Sequence, residues 1–177
     1  MRGTCIFLRY IGTMFEVLVF VYENYYAGDS YPEPAHLERK LNAVGFESEE
    51  IEDALHWLKG LKAAASGFLG TGGASQVVAP EPWLRDPCPT SVRIYPLAEQ
   101  NHLGLECMGF ISFLESAAAL SAAMRELIID RAMAAPGEPV TLDDLKIIIL
   151  LVYWSFGQEP DALILDELCD TEERVAN

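Results

Sequence analysis

Apolar residues recur at helical spacing over much of the chain, and the clearest pattern predicts two helices joined by a tight turn. Leu37, Leu41 and Val44 lie at positions i, i+4 and i+7, on one face of a helix. Gly45 suits the turn, because glycine adopts positive φ without a steric penalty, and Ser48 is predicted to cap the next helix. That helix carries its apolar residues on one face, at Ile51, Ala54, Leu55, Leu58 and Leu61. The pair has the shape of a helix-turn-helix.

Further helices are predicted on both sides of this hairpin. The apolar run 14–27 favours a buried helix, and its β-branched residues leave a strand as the alternative. A short helical turn is expected at 97–103, and Ser121 and the pair Thr141 and Asp144 supply N-terminal caps farther on. The remaining helices are expected at 105–119, 122–135, 142–156 and roughly 160–170.

Residues 63–91 differ in composition, since small residues, glycines and four prolines predict a linker or loop. The glycine-rich part lacks the Gly-Lys-Ser/Thr of a P-loop, so no phosphate site is expected there. Val92–Tyr95 alternates like a short strand, and a partner strand at 76–79 would complete the wing of a winged helix. The chain is therefore predicted to be mostly α, with a winged-helix-like N-terminal subdomain at 14–62, a C-terminal helical subdomain at 92–157 and an acidic helix and tail at 158–177.

Charge conflicts with the shape of the hairpin. The net charge is −15, and residues 96–177 hold fifteen acidic but only four basic residues. A helix that reads a DNA groove presents Arg, Lys, Asn or Gln, whereas carboxylates facing phosphates repel them. The outward face of helix 48–62 instead carries Glu49, Glu52, Asp53, His56 and Lys59. This pattern favours an αα-hairpin packed in a helical core, with an acidic surface that attracts a basic protein.

The first residues of the chain are apolar but do not suit a membrane. Arg9 and Glu16 fall inside the apolar run 5–22, where each would be costly in hydrocarbon, and no cleavage site of a secretory signal follows closely. Met14 is an alternative start. Residues 1–13 are therefore predicted to be a dispensable N-terminal extension.

No pattern of catalytic, cofactor-binding or metal-ligating residues is found. The cysteines have no paired spacing, which predicts free thiols in a reducing cytoplasm, with Cys107 a core thiol. The histidines are far apart, and Gly104 between His102 and Glu106 argues against a shared metal-binding face. The residues concerned are Cys5, Cys88, Cys107 and Cys169, and His36, His56 and His102.

Several motifs together resemble the bacterial Smg family, a domain of unknown function. They are MFEVLVFVYENYY at 14–26, LNAVGFESEEIEDALHWLKGL at 41–61, SVRIYPLAEQ at 91–100, ECMGFISFLE at 106–115, RELIIDRAM at 125–133 and LDDLKIIILLVYW at 142–154. The resemblance implies a cytoplasmic bacterial protein whose natural start is Met14. The resemblance implies no catalytic residue. Smg genes often lie beside the gene of a DNA-processing protein, which hints at a link to nucleic-acid metabolism.

Two functions follow from these patterns, and an enzyme ranks third. The first is a non-enzymatic interaction or regulatory protein that binds a basic protein partner through Trp57, Asp161, Asp166, Glu167 and Asp170. Trp57 lies at the edge of an apolar face, so core packing is the alternative for it. The second is a nucleic-acid-binding winged helix that uses Arg39, Lys40, Lys59, Lys62 and Arg93. For Arg93 an ion pair with an acidic residue is the favoured interpretation.

Overall fold

The computed structural model describes residues 14–25, 34–70, 93–136 and 139–169, which form helices and no strand. The helices are α1 (Met14–Tyr25), α2 (Pro34–Val44), α3 (Ser48–Gly70), α4 (Leu97–Ser116), α5 (Ala122–Met133), α6 (Leu142–Ser155) and α7 (Ala162–Cys169). The predicted mostly α class is confirmed, and the run from Met14 is a helix. Within the described ranges, no helix is both long and apolar enough to cross a membrane.

Helix α6 lies at the centre of the fold. Residues 145–153 are all buried, as expected of a helix that is apolar on every side, and α1, α3, α4, α5 and α7 pack around it. The one charged residue in this run, Lys146, lies with its ammonium 5.7 Å from the ring centroid of Phe110. Since α1 and α3 pack on the same core as α4 and α5, the predicted division into two subdomains is not confirmed.

The turn between α2 and α3 forms as the sequence predicts. Gly45 has a φ of +108°, and the N–H groups of Gly45 and Phe46 donate to the carbonyl of Leu41 at 3.2 and 3.4 Å. These bonds close the end of α2 with a left-handed residue. Phe46 then packs edge-on against Phe20 of α1, with ring centroids 5.7 Å apart. The turn therefore fixes the hairpin against α1.

The cap of α3 differs from the prediction by one residue. The carbonyl of Glu47 accepts from the N–H of Ile51 at 3.1 Å, and the Glu50 carboxylate accepts from the N–H of Glu47 at 3.1 Å. Ser48 is the first helical residue and not the N-cap. The prediction failed because Glu50, three residues after Glu47, satisfies an N–H group that the helix leaves unpaired.

Helix α3 also runs eight residues past Lys62. The predicted linker or loop that began at residue 63 is therefore wrong for residues 63–70. Alanine has the highest helix propensity, and buried Ala65 extends the contact with the core. Gly67 costs only about 1 kcal/mol inside a helix. Residues 93–95 form no strand, so the predicted strand is absent there. Residues 1–13 and 71–92, which include the expected partner strand, lie outside the described residues.

Helix α4 is broken where the sequence placed a boundary between a short turn and a helix. Gly104 has φ +69° and ψ 170°, and the carbonyl of His102 just before it accepts from the N–H of Val140 at 2.8 Å. The break therefore joins α4 to the connection between α5 and α6. The caps predicted at Ser121 and Thr141 are confirmed. Ser121 accepts from the N–H of Met124 at 3.2 Å, and Thr141 and Asp144 form a capping box.

Candidate functional site

Helix α3 presents the acidic face that the sequence predicts. Glu49, Glu52 and Asp53 are exposed, together with His56 and Lys59, while Ile51, Ala54, Leu58 and Leu61 are buried on the opposite side. This face is called the α3 acidic face below, and it consists of Glu49, Glu52 and Asp53.

Trp57 does not belong to the exposed surface. Its side chain is 3% exposed, and its Nε1–H donates to the carbonyl of Arg131 in α5 at 3.0 Å. A tryptophan that is buried and has a partner for its N–H is a core residue. Trp57 therefore packs in the core, which was the alternative to a partner contact.

The arginines of the second half are held in ion pairs. Arg93 pairs with Glu99 at 2.5 Å and Glu126 at 3.0 Å, and Arg125 pairs with Glu115 at 2.5 Å and Glu126 at 2.8 Å. We call these five residues the Arg93–Arg125 cluster. The guanidinium of Arg93 also lies 4.5 Å from the ring centroid of Tyr95. The predicted ion pair of Arg93 is confirmed.

Electrostatics keep this cluster ionised. Burial by itself would raise the pKa of Glu126, but the guanidinium groups of Arg93 and Arg125 outweigh burial and lower it. Hydrogen bonds to Glu99 and Glu126 raise the pKa of Arg93. The cluster joins α4 and α5, so its role in the fold is structural.

The five basic residues of the nucleic-acid hypothesis do not form one open patch, because Arg93 is engaged by two carboxylates. The other four, Arg39, Lys40, Lys59 and Lys62, are exposed on α2 and α3. The ammonium of Lys40 lies 4.8 Å from the ring centroid of Tyr25.

The four acidic residues predicted as partner contacts near the C-terminus differ in their surroundings. Asp161 caps α7, because its Oδ1 accepts from the N–H of Leu163 at 3.0 Å. Asp166 and Glu167 are exposed, and Asp170 lies outside the described residues. Four further acids of this half, Glu99, Glu115, Glu126 and Asp130, pair with arginines. Among the described residues, α3 carries three exposed carboxylates and α7 carries two.

A groove that the sequence pattern did not reveal lies between α1, α6 and the turn of the hairpin. Its cavity measures about 200 Å³ and is lined by Phe15, Glu16, Val19, Phe20, Glu23, Phe46 and Ile147. The signal in the sequence was the spacing of Glu16 and Glu23, two helical turns apart in an otherwise apolar run.

Exposed apolar residues on and before α4 were missed as well. Leu105 is 86% exposed, and Phe113 is 51% exposed. Ile94 and Leu97 are also exposed.

The histidines and cysteines give no metal site among the described residues, where no group of three potential ligands occurs. His102 is buried with Nε2 3.0 Å from the carbonyl of Ala132, while His36 and His56 are exposed. Cys169 is disulfide-bonded, so the prediction of free thiols is wrong for this cysteine. The cysteine spacing in the sequence gives no signal for this bond.

Cys107 is a free core thiol, and we expect it to resist alkylation in the folded protein. It is 1% exposed, its Sγ donates to the carbonyl of Val140 at 3.5 Å, and burial raises its pKa to about 11. At pH 8 iodoacetamide should label it at least about 100-fold more slowly than an unperturbed cysteine, because the thiolate is the reacting form. Mass spectrometry of tryptic peptides gives the rate, and labelling in guanidinium chloride is the control. Rapid labelling of the native protein would contradict this placement.

Comparison with known proteins gives the family. Residues 14–176 match the model of a family described as protein of unknown function, DUF494. The chain belongs to this family. It is 54% identical over 163 residues to the protein Smg homolog of Leptothrix cholodnii, an alignment that covers 92% of this chain and 99% of that protein.

Two further relatives carry the same description. The Smg homolog of Methylibium petroleiphilum is 53% identical over 163 residues, which cover 92% of this chain and 99% of that protein. The Smg homolog of Bordetella pertussis is 43% identical over 159 residues, covering 90% of this chain and 96% of that protein. The resemblance to the Smg family is therefore confirmed. No solved structure matches the chain.

Proposed function

We propose that this Smg family protein is a non-enzymatic helical protein of the bacterial cytoplasm that binds a basic protein partner through the α3 acidic face. The observation that carries the proposal is the contrast between two sets of charges. Arg93 and Arg125 are held by carboxylates inside the fold, whereas Glu49, Glu52 and Asp53 project into solvent. An unbalanced acidic surface raises the rate of encounter with a basic partner and disfavours acidic ones.

The rigidity of α3 supports this role. Its buried face packs on α1, α5 and α6, and Trp57 ties it to α5 through the hydrogen bond to Arg131. A helix held in this way presents its carboxylates in a fixed arrangement, which lowers the entropy lost when a partner binds. Asp166 and Glu167 on α7 are also exposed, but they lie on another helix and the proposed contact does not include them.

The alternative proposal is a nucleic-acid-binding protein of the winged-helix type. The shape of the α2–α3 hairpin supports it, and Arg39, Lys40, Lys59 and Lys62 are exposed there. Against it, a recognition helix would bring Glu49, Glu52 and Asp53 towards the phosphates. These carboxylates would oppose the counterion release that drives DNA binding.

Affinity capture of the native protein from its own cytoplasm, after nuclease treatment, tests the two proposals. We expect proteins with basic surfaces to be captured and to elute as salt rises to 1 M. Attraction between exposed charges weakens as the Debye length falls from about 10 Å at 0.1 M to about 3 Å at 1 M. In parallel, fluorescence anisotropy with a labelled duplex should show no saturable binding at low micromolar protein. Capture that nuclease abolishes, or sub-micromolar and salt-dependent duplex binding, would favour the nucleic-acid alternative.

A further inference from the structure

The groove between α1, α6 and the hairpin turn has apolar walls. Phe15, Val19 and Phe20 of α1 line it together with Phe46 of the turn and Ile147 of α6. Its cavity of about 200 Å³ is smaller than the roughly 300–1,000 Å³ of typical small-molecule sites. The space therefore suits one large apolar side chain better than a whole cofactor.

Carboxylates give the groove a charge. Glu23 of α1 lines it, and the exposed Glu47 follows Phe46 directly in the chain. Partial burial raises the pKa of Glu23, and none of the described residues forms an ion pair with it. A cation brought by a partner would offset this burial, since an opposite charge favours the ionised carboxylate.

We propose that this groove is a docking site for a segment of the partner protein in which one large apolar side chain is flanked by Lys or Arg. The apolar side chain enters the groove and packs against Phe20 and Phe46, whose rings touch each other, and a neighbouring basic residue pairs with Glu23. The inference rests on the proposed function, because it gives the basic partner a second, apolar point of contact. It also adds selectivity that an acidic face alone lacks, since rim charges contribute less affinity than a buried anchor.

Nuclear magnetic resonance of the full ¹⁵N-labelled chain tests the groove with three synthetic peptides. The phenylalanine peptide is Lys-Arg-Phe-Arg-Lys, the alanine peptide replaces Phe by Ala, and the acidic peptide is Glu-Glu-Phe-Glu-Glu. We expect the phenylalanine peptide to bind at least tenfold more tightly than either of the others. The largest shift changes should fall on the amides of Val19, Phe20 and Phe46.

Two charge-reversal variants separate the groove from the α3 acidic face. Glu23→Lys should weaken binding of the phenylalanine peptide about tenfold, whereas Glu52→Lys, the same charge change outside the groove, should weaken it less than threefold. Far-UV dichroism of both variants should match that of the native protein. As a rescue by exchanged charges, the acidic peptide should bind Glu23→Lys more tightly than it binds the native protein.

Several results would overturn the inference. One such result is that the phenylalanine and alanine peptides bind equally well and that Glu52→Lys weakens binding more than Glu23→Lys. The proposed basic partner would then stand, but the groove would not take part in binding it. Shift changes confined to residues outside the groove, or no binding by any peptide, would also contradict it. If Arg9→Glu in the full chain raises affinity for the phenylalanine peptide tenfold, the occupant is the chain's own N-terminal segment and not a partner.

Discussion

Replacing Trp57 by alanine is expected to lower the free energy of unfolding by about 3–5 kcal/mol, the usual cost of removing a buried tryptophan. The indole is 3% exposed, and its loss leaves a cavity between α3 and α5 as well as an unfilled hydrogen bond at the carbonyl of Arg131. For a chain of this size the melting temperature should fall by about 6–20 °C. Chemical denaturation followed by far-UV dichroism measures the change.

Trp57→Phe is the matched control, because it keeps a ring in the core and removes the N–H donor. It should cost about 1–2 kcal/mol, which is the hydrogen bond with a small packing defect. A loss under 1 kcal/mol for Trp57→Ala, combined with loss of partner capture, would contradict the core placement. Trp57 would then be an interface residue after all.

Replacing Arg93 by alanine is expected to lower the free energy of unfolding by about 1–3 kcal/mol. The change leaves Glu99 and Glu126 without a shared cation, next to the remaining carboxylate of Glu115. The estimate lies between the values for exposed and fully buried pairs, because the side chains of Arg93 and Glu126 are 17% and 41% exposed. Arg93→Lys keeps the charge but loses the two-pronged contact, so it should recover only part of the stability.

The stability added by Arg93 should also depend on pH. The pKa of Glu126 is lowered in the folded protein, so its pairing stabilises the fold above the pKa of the unfolded chain, about 4.3. This stability disappears as the pH falls through the lower folded pKa. The difference between native protein and Arg93→Ala should therefore be constant near neutral pH and shrink below about pH 4. A difference that is the same at pH 7 and pH 3 would show that the loss comes from packing alone.

Local features of the fold could be predicted from the sequence. The positive φ of Gly45 and the caps at Ser121 and Thr141 involve residues no more than four positions apart, so short patterns contain all the information. The buried run of α6 follows from its uniform apolar character. The end of α3 was missed because Gly67 was given more weight than the alanines before it and the packing of Ala65.

Features that depend on distant residues could not be predicted. Trp57 meets a carbonyl 74 positions away, and Arg93 meets a carboxylate 33 positions away. A count of formal charges does not show that Glu99, Glu115 and Glu126, all after residue 96, pair with arginines. The groove is formed by three separate segments, so only its carboxylates on α1 left a trace in the sequence.

Reversing the charges of the α3 acidic face is the most direct test of the account. The variant carries Glu49→Lys, Glu52→Lys and Asp53→Lys, and a control carries Glu106→Lys, Asp166→Lys and Glu167→Lys, also at exposed positions. Both change the net charge by the same amount. The reversal of Glu49 near the helix N-terminus costs no more than about 1 kcal/mol, so both variants should remain folded.

The measurement is the amount of basic partner captured from nuclease-treated cytoplasm at 0.1 M salt. We expect the α3 variant to capture at least tenfold less than the native protein, and the control to capture within threefold of it. The account would be contradicted if the α3 variant captured as much partner as the native protein while the control captured much less. The contact would then lie on the C-terminal acids.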